Sequence, residues 1–307
     1  EAFPYDKLLI ATGSNARKLP FGNPDVEGMF TLRKIADANE IKQYITNKKV
    51  KEVFVIGGGL LGIELAYHLR ELQLNITICE IAPYLLPRQL DQDTSKLLTK
   101  YLESKGLRII CGASVKQVVG NPAVTGVELD NGKIYSAQLV MQQMGIIPEL
   151  EVAKNSNIPV DKGIIVNEFM QTNDPDIYAS GDCVQFKNLI WGIIPASMEQ
   201  AKIAAMHMLG QKPAAYEGTF WNTRLKIAGL KLSCFGSPPD SNNGEETVVE
   251  DTDEENYLCK KIVIEQNKIK GAILMGAGDD NYFMKNIGKP VDIDEVKQKI
   301  KEQGKNK

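Results

Sequence analysis

Three glycines spaced Gly57-x-Gly59-x-x-Gly62, set between an apolar run and a helical pattern, constrain this chain more than any other feature. Val53-Phe54-Val55-Ile56 ahead of them reads as a buried strand. Leu60 to Leu72 carries apolar residues at helical spacing, and Ile76-Thr77-Ile78-Cys79-Glu80 reads as a second strand. Strand, glycine turn, helix and strand within about 30 residues make a βαβ unit, whose strands run parallel with a right-handed crossover. In such a unit the first glycine permits the tight turn and the second lets a pyrophosphate approach the backbone. The third lets helix and strand pack closely, and the phosphates meet the positive end of the helix. Glu80, 23 residues after Gly57, ends the second strand, where a carboxylate accepts hydrogen bonds from adenosine ribose hydroxyls and repels a 2′-phosphate. The unit therefore leans towards NADH over NADPH, with Arg88 as the nearby residue that would weaken the preference. The alternative is a glycine turn that serves packing alone.

Gly57, Gly59, Leu60, Leu61, Gly62, Glu64, Glu80 and Arg88 are the candidate dinucleotide contacts of this unit. Glu64, two residues past the third glycine, has two readings. It complements the helix dipole from the first turn, or it lies beside the nicotinamide ribose or carboxamide.

The rest of the chain alternates strands and helices. Residues 7–11 read as a buried strand ended by Thr12-Gly13-Ser14, residues 19–28 as a Pro/Gly-rich connector, and Ile35 to Lys48 as a helix. Asp93 to Lys105 is an amphipathic helix. Leu107 to Ile110, Val124 to Leu129 and Ile134 to Val140 are strands, with Asp130-Asn131-Gly132 as a hairpin turn. Residues 164–166 and 177–179 are short apolar segments, and a long helix starts just after Pro195, where a missing N–H costs nothing. After Pro213 the pattern changes to strands at 223–228, 230–235, 246–250, 257–264 and 268–275, followed by two helical pieces, as in a separate α+β domain. The acidic run Glu250 to Glu255 reads as a solvated loop and Lys297 to Lys307 as a charged, frayed terminus.

A length of 307 residues fits two domains or three small ones, and 43% hydrophobic residues supply a real core. No apolar run approaches the roughly 18–20 residues that span a bilayer, and a net charge of −3 argues against nucleic acid as the main partner. The five cysteines are odd in number, scattered and never in a C-x-x-C pair. That pattern fits neither a disulfide framework nor a zinc knuckle, so no metal ligand set is expected and a reducing, cytoplasmic setting is. Cys183 reads as a small buried thiol and His68 and His207 as packing or surface residues. Trp191 covers a bound ring or fills a domain interface.

Two further pieces meet at strand ends. Ala11-Thr12-Gly13 is a tight turn, and Ile177-Tyr178-Ala179-Ser180-Gly181-Asp182 projects a carboxylate at the edge where open α/β sheets bind ligands. Taken alone, Asp182 is a helix cap or turn residue. These pieces, with Leu8-Leu9-Ile10 ahead of the first, the glycine turn and Met144-Gly145-Ile146-Ile147-Pro148, stand in an order that resembles the FAD-dependent pyridine nucleotide–disulfide oxidoreductase superfamily over nearly the whole chain. Leu86 to Asp91 and Leu225 to Leu232 resemble, within it, the branch of NADH:rubredoxin oxidoreductases and the flavin module of assimilatory nitrite reductases.

The resemblance implies an α/β fold of FAD/NAD(P)-binding Rossmann-like (three-layer β-β-α) domains, with an NAD domain inserted in a partial FAD domain. Residues 1–20 and 144–212 would belong to the FAD-binding part, 21–143 to the NAD(H)-binding domain and 213–307 to a small C-terminal α+β domain. Asp182 would bond the FAD ribitol, with Ala11, Thr12, Gly13 and Gly181 near the same cofactor. Gly145 would line the nicotinamide channel, and the helix from Ala196 would point its N-terminus at the flavin pyrimidine edge. Lys226 matches a position close to the flavin, as an electrostatic partner of the reduced ring or of a docked acceptor. The implied activity is a flavoprotein reductase passing electrons from NADH through FAD to a protein iron centre, rubredoxin by preference. The rival activities are an NADH oxidase or peroxidase using an upstream cysteine, and a non-catalytic NADH-sensing interaction protein. Relatives also carry an earlier FAD-binding G-x-G-x-x-G. This chain has none, and Gly276 to Asn281 lacks the third glycine and a following long helix. The expectation is a fragment that begins partway through the FAD domain and holds FAD poorly by itself.

Overall fold

The computed structural model describes residues 1–19, 26–227, 229–236, 239, 245–276 and 280–302, without the side chains of residues 226 and 227. In chain order the first elements are β1 (Leu8–Ile10), β2 (Ser14–Ala16), β3 (Met29–Phe30), α1 (Ile35–Lys48), β4 (Glu52–Ile56) and α2 (Leu60–Glu71). Then come β5 (Asn75–Glu80), α3 (Gln92–Ser104), β6 (Leu107–Cys111), β7 (Val115–Val119), β8 (Gly126–Leu129), β9 (Ile134–Ser136) and β10 (Leu139–Gln142). They are followed by β11 (Ile146–Pro148), α4 (Glu151–Asn155), β12 (Ile164–Ile165), β13 (Ile177–Ala179), β14 (Val184–Gln185) and α5 (Ile194–Met208). The last are β15 (Asn222–Ile227), β16 (Leu230–Gly236), β17 (Glu246–Asp253), β18 (Leu258–Glu265), β19 (Lys268–Met275), α6 (Asn281–Asn286) and α7 (Ile293–Glu302). The chain divides into two compact units, one of Glu1–Arg17 with Gly145–Phe220 and one of Lys18–Met144 with Trp221–Lys307.

The second unit is built on a parallel sheet in the order β3-β10-β4-β5-β6. Both faces of its central strands are buried, so alternate side chains serve two different cores. Val53 and Val55 of β4 and Ile76 and Ile78 of β5 face α1, α2 and α3, packing with Ile41, Ile63, Ala66, Leu97, Leu98 and Leu102. Phe54, Ile56 and Cys79 point the other way, onto Val115, Val127 and Leu129 of the antiparallel sheet β7-β8-β9. Helices, parallel sheet and small antiparallel sheet are thus the three layers.

In the same unit an antiparallel sheet, ordered β15-β16-β19-β18-β17, repeats the two-faced logic. Leu225, Leu232, Cys234, Cys259 and Ile273 join the core around α2 and α3. Phe235, Ile262, Ile264 and Leu274 face α6 and α7. Asp91 ties the two sheets' layers together. One of its oxygens caps α3 by accepting from Thr94 N at 2.9 Å, and the other accepts from Lys261 Nζ of β18 at 2.6 Å.

The first unit pairs β1 with β13, β2 with β11 and β12 with β14 around a core of Ile10, Ile164, Ile177, Tyr178, Val184, Phe186 and Ala204. Trp191 belongs to that core: its indole N–H donates to Thr219 O at 2.9 Å and its ring packs on Phe186 and Tyr216. It therefore packs in the unit's own interior. Cys183 is fully buried there.

Several elements depart from the sequence reading. Ile134 to Val140 is two strands in two sheets, because the chain turns at Ala137 and Gln138, whose carboxamide oxygen accepts from Lys51 N and Glu52 N at 2.7 and 3.3 Å. The acidic run is largely strand β17, since Glu250 and Asp251 lie opposite Lys261 and Lys260 of β18 and cross-strand charge holds them there. Residues 297–302 continue helix α7, which buries Val296 and Ile300 on one face. Most of the connector (residues 20–25), residues 277–279 of the second glycine-bearing segment and residues 303–307 lie outside the described residues.

Candidate functional site

β4 delivers the chain to Gly57 with φ 107°, a left-handed conformation natural to glycine. A Cβ at Gly57 would lie 2.3 Å from Gln143 O and one at Gly62 would lie 2.0 Å from Gly57 O, so both glycines are demanded by backbone packing. Gly59, the N-cap of α2, differs: nothing lies within 4 Å of the position its Cβ would take. Close packing therefore requires the first and third glycines, and the second opens onto space above the helix N-terminus. That space, with the unpaired first-turn N–H groups of α2, is a cradle for an anionic group.

Glu80 closes the adjacent side. Its Oε2 accepts from Gly58 N at 2.7 Å and its Oε1 from Ala82 N at 2.9 Å, which fixes the carboxylate beside the turn. The buried Leu85, Leu86 and Leu90 pin the segment that follows. Leu61 is exposed at the helix start, Leu60 is half-buried, and Arg88 is exposed. Glu64 is the fifth residue of α2, in its second turn, so the dipole-complementing reading of that residue loses its geometric basis. Among the described residues Glu64 has no side-chain hydrogen bond or ion pair. His68 is exposed and pairs with Glu71.

The first unit gathers a second group of the expected residues. Gly13, with φ 72°, and Gly181, with φ 90°, follow the paired strands β1 and β13. No atom lies within 4 Å of a Cβ at Gly13, and only Ser197 comes near one at Gly181. Ser14 Oγ donates to Asp182 Oδ2 at 2.8 Å, so the carboxylate already takes a hydroxyl donor across the two turns. Thr12 Oγ1 donates to Glu149 O at 2.8 Å, and Ala11 is exposed beside it. Gly145 lies in this unit with φ 89° and open space around it.

Residues that the sequence did not single out hold this group in place. The buried Gln200 of α5 accepts from Gly181 N at 2.9 Å and donates to Tyr216 Oη at 3.3 Å. Tyr216 in turn shares a hydrogen bond of 2.8 Å with Thr219, which donates to Glu199 at 2.7 Å. In sequence Gln200 reads as one of several polar residues on α5, beside Ser197, Glu199 and Lys202, and nothing marks it as buried or names its partner. Lys226 lies in β15 opposite Lys231, but its side chain is outside the described residues. Among the described residues no three His, Cys, Asp or Glu side chains are grouped to hold a metal ion, and no helix is long and apolar enough to cross a membrane.

Residues 1–207 match the family model described as pyridine nucleotide-disulphide oxidoreductase, and residues 222–286 match that of the rubredoxin NAD+ reductase C-terminal domain. A nitrite reductase (NAD(P)H) of Bacillus subtilis is 37% identical over 295 residues, which cover 95% of this chain and 36% of that protein. An NADH-rubredoxin oxidoreductase of Clostridium acetobutylicum is 31% identical over 276 residues, covering 90% of this chain and 67% of that protein. The crystal structure of a ferredoxin reductase from Rhodopseudomonas palustris matches with a TM-score of 0.82 and 25% identity, over 94% of this chain and 72% of that one. The chain spans little more than a third of the nitrite reductase it matches.

Proposed function

The chain belongs to the pyridine nucleotide-disulphide oxidoreductase family, and we propose that it serves as a flavoprotein reductase that draws on NADH and feeds a small iron protein, rubredoxin by preference. Its cofactors are NAD(H) and FAD. The observation that carries the reading is the open space at Gly59, above the N-terminus of α2 and beside a carboxylate already fixed by two backbone N–H groups. A diphosphate fits the cradle and the two adenosine ribose hydroxyls fit the carboxylate.

In this reading Gly57, Gly59, Gly62, Leu60 and Leu61 bind the dinucleotide backbone, Glu80 selects NADH, and Arg88 and Glu64 border the same ligand. The residues of the first unit fit a flavin's ribitol end: Asp182 accepts a hydroxyl donor from Ser14, and Gly13 and Gly181 leave room where side chains would stand. Gln200 orients the Gly181 turn, and Gly145 belongs to the nicotinamide path. The N-terminus of α5 would complement negative charge on a bound flavin, an effect worth up to about 2 kcal/mol. When bound, FAD converts the two-electron hydride of NADH into single electrons for iron. Lys226 is the candidate for an electrostatic contact with the ring or acceptor. In this reading residues 1–17 and 145–220 form the flavin-binding part, 18–144 the NAD(H)-binding domain and 221–307 the C-terminal domain.

The iron-protein acceptor is supported by the match of residues 222–286 to a rubredoxin reductase C-terminal domain and by the clostridial relative's name. The test mixes the full-length protein with NADH and oxidised rubredoxin in a stopped-flow spectrometer, with oxygen as the competing acceptor. Rubredoxin bleaching faster than oxygen is consumed is the expected result. Oxygen consumption without bleaching would overturn it in favour of an oxidase.

A further inference from the structure

Gln143 stands one residue past β10, against the glycine turn. Its N–H donates to Ile56 O at 2.8 Å, its carbonyl oxygen lies where a Gly57 side chain would begin, and its Cβ is 3.5 Å from the position of a Gly62 Cβ. Its side chain therefore leaves the backbone beside the first turn of α2. The carboxamide nitrogen is buried, and it is the one buried side-chain nitrogen or oxygen without a hydrogen-bond partner among the described residues. The other glutamines of this strand are satisfied: Gln142, at the same end, accepts from Leu19 N at 2.8 Å, and Gln138, just before the opposite end, accepts from Lys51 N and Glu52 N. Folded proteins rarely leave such a donor unpaired, and a ligand that brings its own acceptor is one of the standing reasons.

We propose that the Gln143 carboxamide is a dinucleotide contact, donating to the nicotinamide-side phosphate. The inference rests on the reading that NADH occupies the glycine turn. Sheet order supplies the direction. β4, which carries the turn, has β5 with Glu80 on one side and β10 with Gln143 on the other. The adenosine ribose belongs to the Glu80 side, so the acceptor that Gln143 meets is on the far half of the diphosphate. An amide donor to a charged oxygen is a strong contact, and its loss weakens binding by about tenfold to a hundredfold.

The test titrates the full chain calorimetrically with NADH, ADP-ribose and AMP, as wild type, Gln143→Met and Gln143→Glu. Gln143→Met is expected to lose at least about tenfold in affinity for NADH and ADP-ribose, which carry the second phosphate, and nothing for AMP. Gln143→Glu should lose more, because a carboxylate cannot donate and repels the diphosphate. Without nucleotide, Gln143→Met should melt no lower than wild type, since it removes an unpaired buried polar group. Unchanged NADH affinity in Gln143→Met, a loss equal for AMP, or a loss for NADH but not for ADP-ribose would each overturn the assignment. Failure of the wild type to bind NADH would instead remove the reading beneath it.

Discussion

Replacing Asp91 with Asn separates two jobs that one carboxylate performs. Its Oδ1 caps α3 through Thr94 N and its Oδ2 holds Lys261, whose side chain is only 7% exposed. Asn caps a helix as well as Asp does, so Asp91→Asn keeps the cap and removes only the charge that Lys261 faces. Breaking a buried pair costs about 3–5 kcal/mol. Glu250, 3.6 Å from Lys261 and partly exposed, compensates in part, so the expected loss is at the low end, about 3 kcal/mol. Asp91→Ala loses the cap as well and should cost about 1 kcal/mol more. Urea unfolding followed by circular dichroism measures both. The pH dependence is a second check. Burial pushes the Asp91 carboxyl up, but hydrogen bonds from Lys261 and Thr94 outweigh it and hold the group below its ordinary 3.8. A depressed carboxyl stabilises above its unfolded pKa and loses that contribution as pH falls through the folded value. The gap between wild type and Asp91→Asn should therefore stay constant between pH 8 and pH 5 and close below 3.8. A gap under about 0.5 kcal/mol at neutral pH would refute the reasoning.

The glycines should divide by role. Gly59→Ala, at the N-cap of α2, is expected to cost no more than about 1 kcal/mol in unfolding and to weaken NADH at least about tenfold in calorimetry, whereas Gly62→Ala should destabilise the unit more, since its Cβ would lie 2.0 Å from Gly57 O. Equal stability losses in the two variants would count against the division. Glu80→Ala should narrow the ratio of NADH to NADPH affinities, and an unaltered ratio would remove the ribose role. Burial, with Glu80 adding to it, pushes the Cys79 thiol up to about 12 and the half-exposed Cys111 thiol up to about 11. Both stay protonated near neutrality, so iodoacetamide at pH 8 should label Cys111 about a hundredfold more slowly than an ordinary thiol. Rapid labelling in the folded protein would contradict this.

The βαβ unit was legible because its signals are local: apolar runs, glycine spacing and helical periodicity all fall within about 30 residues. Both faces of β4 and β5 are buried, so their strands appear as continuous apolar runs. β7 is not legible because Val115–Val119 holds Lys116 and Gln117 on an exposed edge, and the acidic second half of β17 reads as a loop because its carboxylates meet their lysines only across the sheet. The same limit applies to the site. Glu80 was visible as an acid at a strand end, but its grip by Gly58 and Ala82 depends on how the turn closes. Gln143 and Gln200 are ordinary glutamines in sequence. Their importance arises from a missing partner in one case and a backbone partner 19 residues away in the other.

A crystal structure of the chain with NADH tests the central claim most directly. The account predicts the diphosphate over Gly59 at the N-terminus of α2 and the adenosine ribose hydroxyls on the Glu80 carboxylate. Density for the dinucleotide elsewhere, or a saturated crystal with nothing above Gly59, would contradict it.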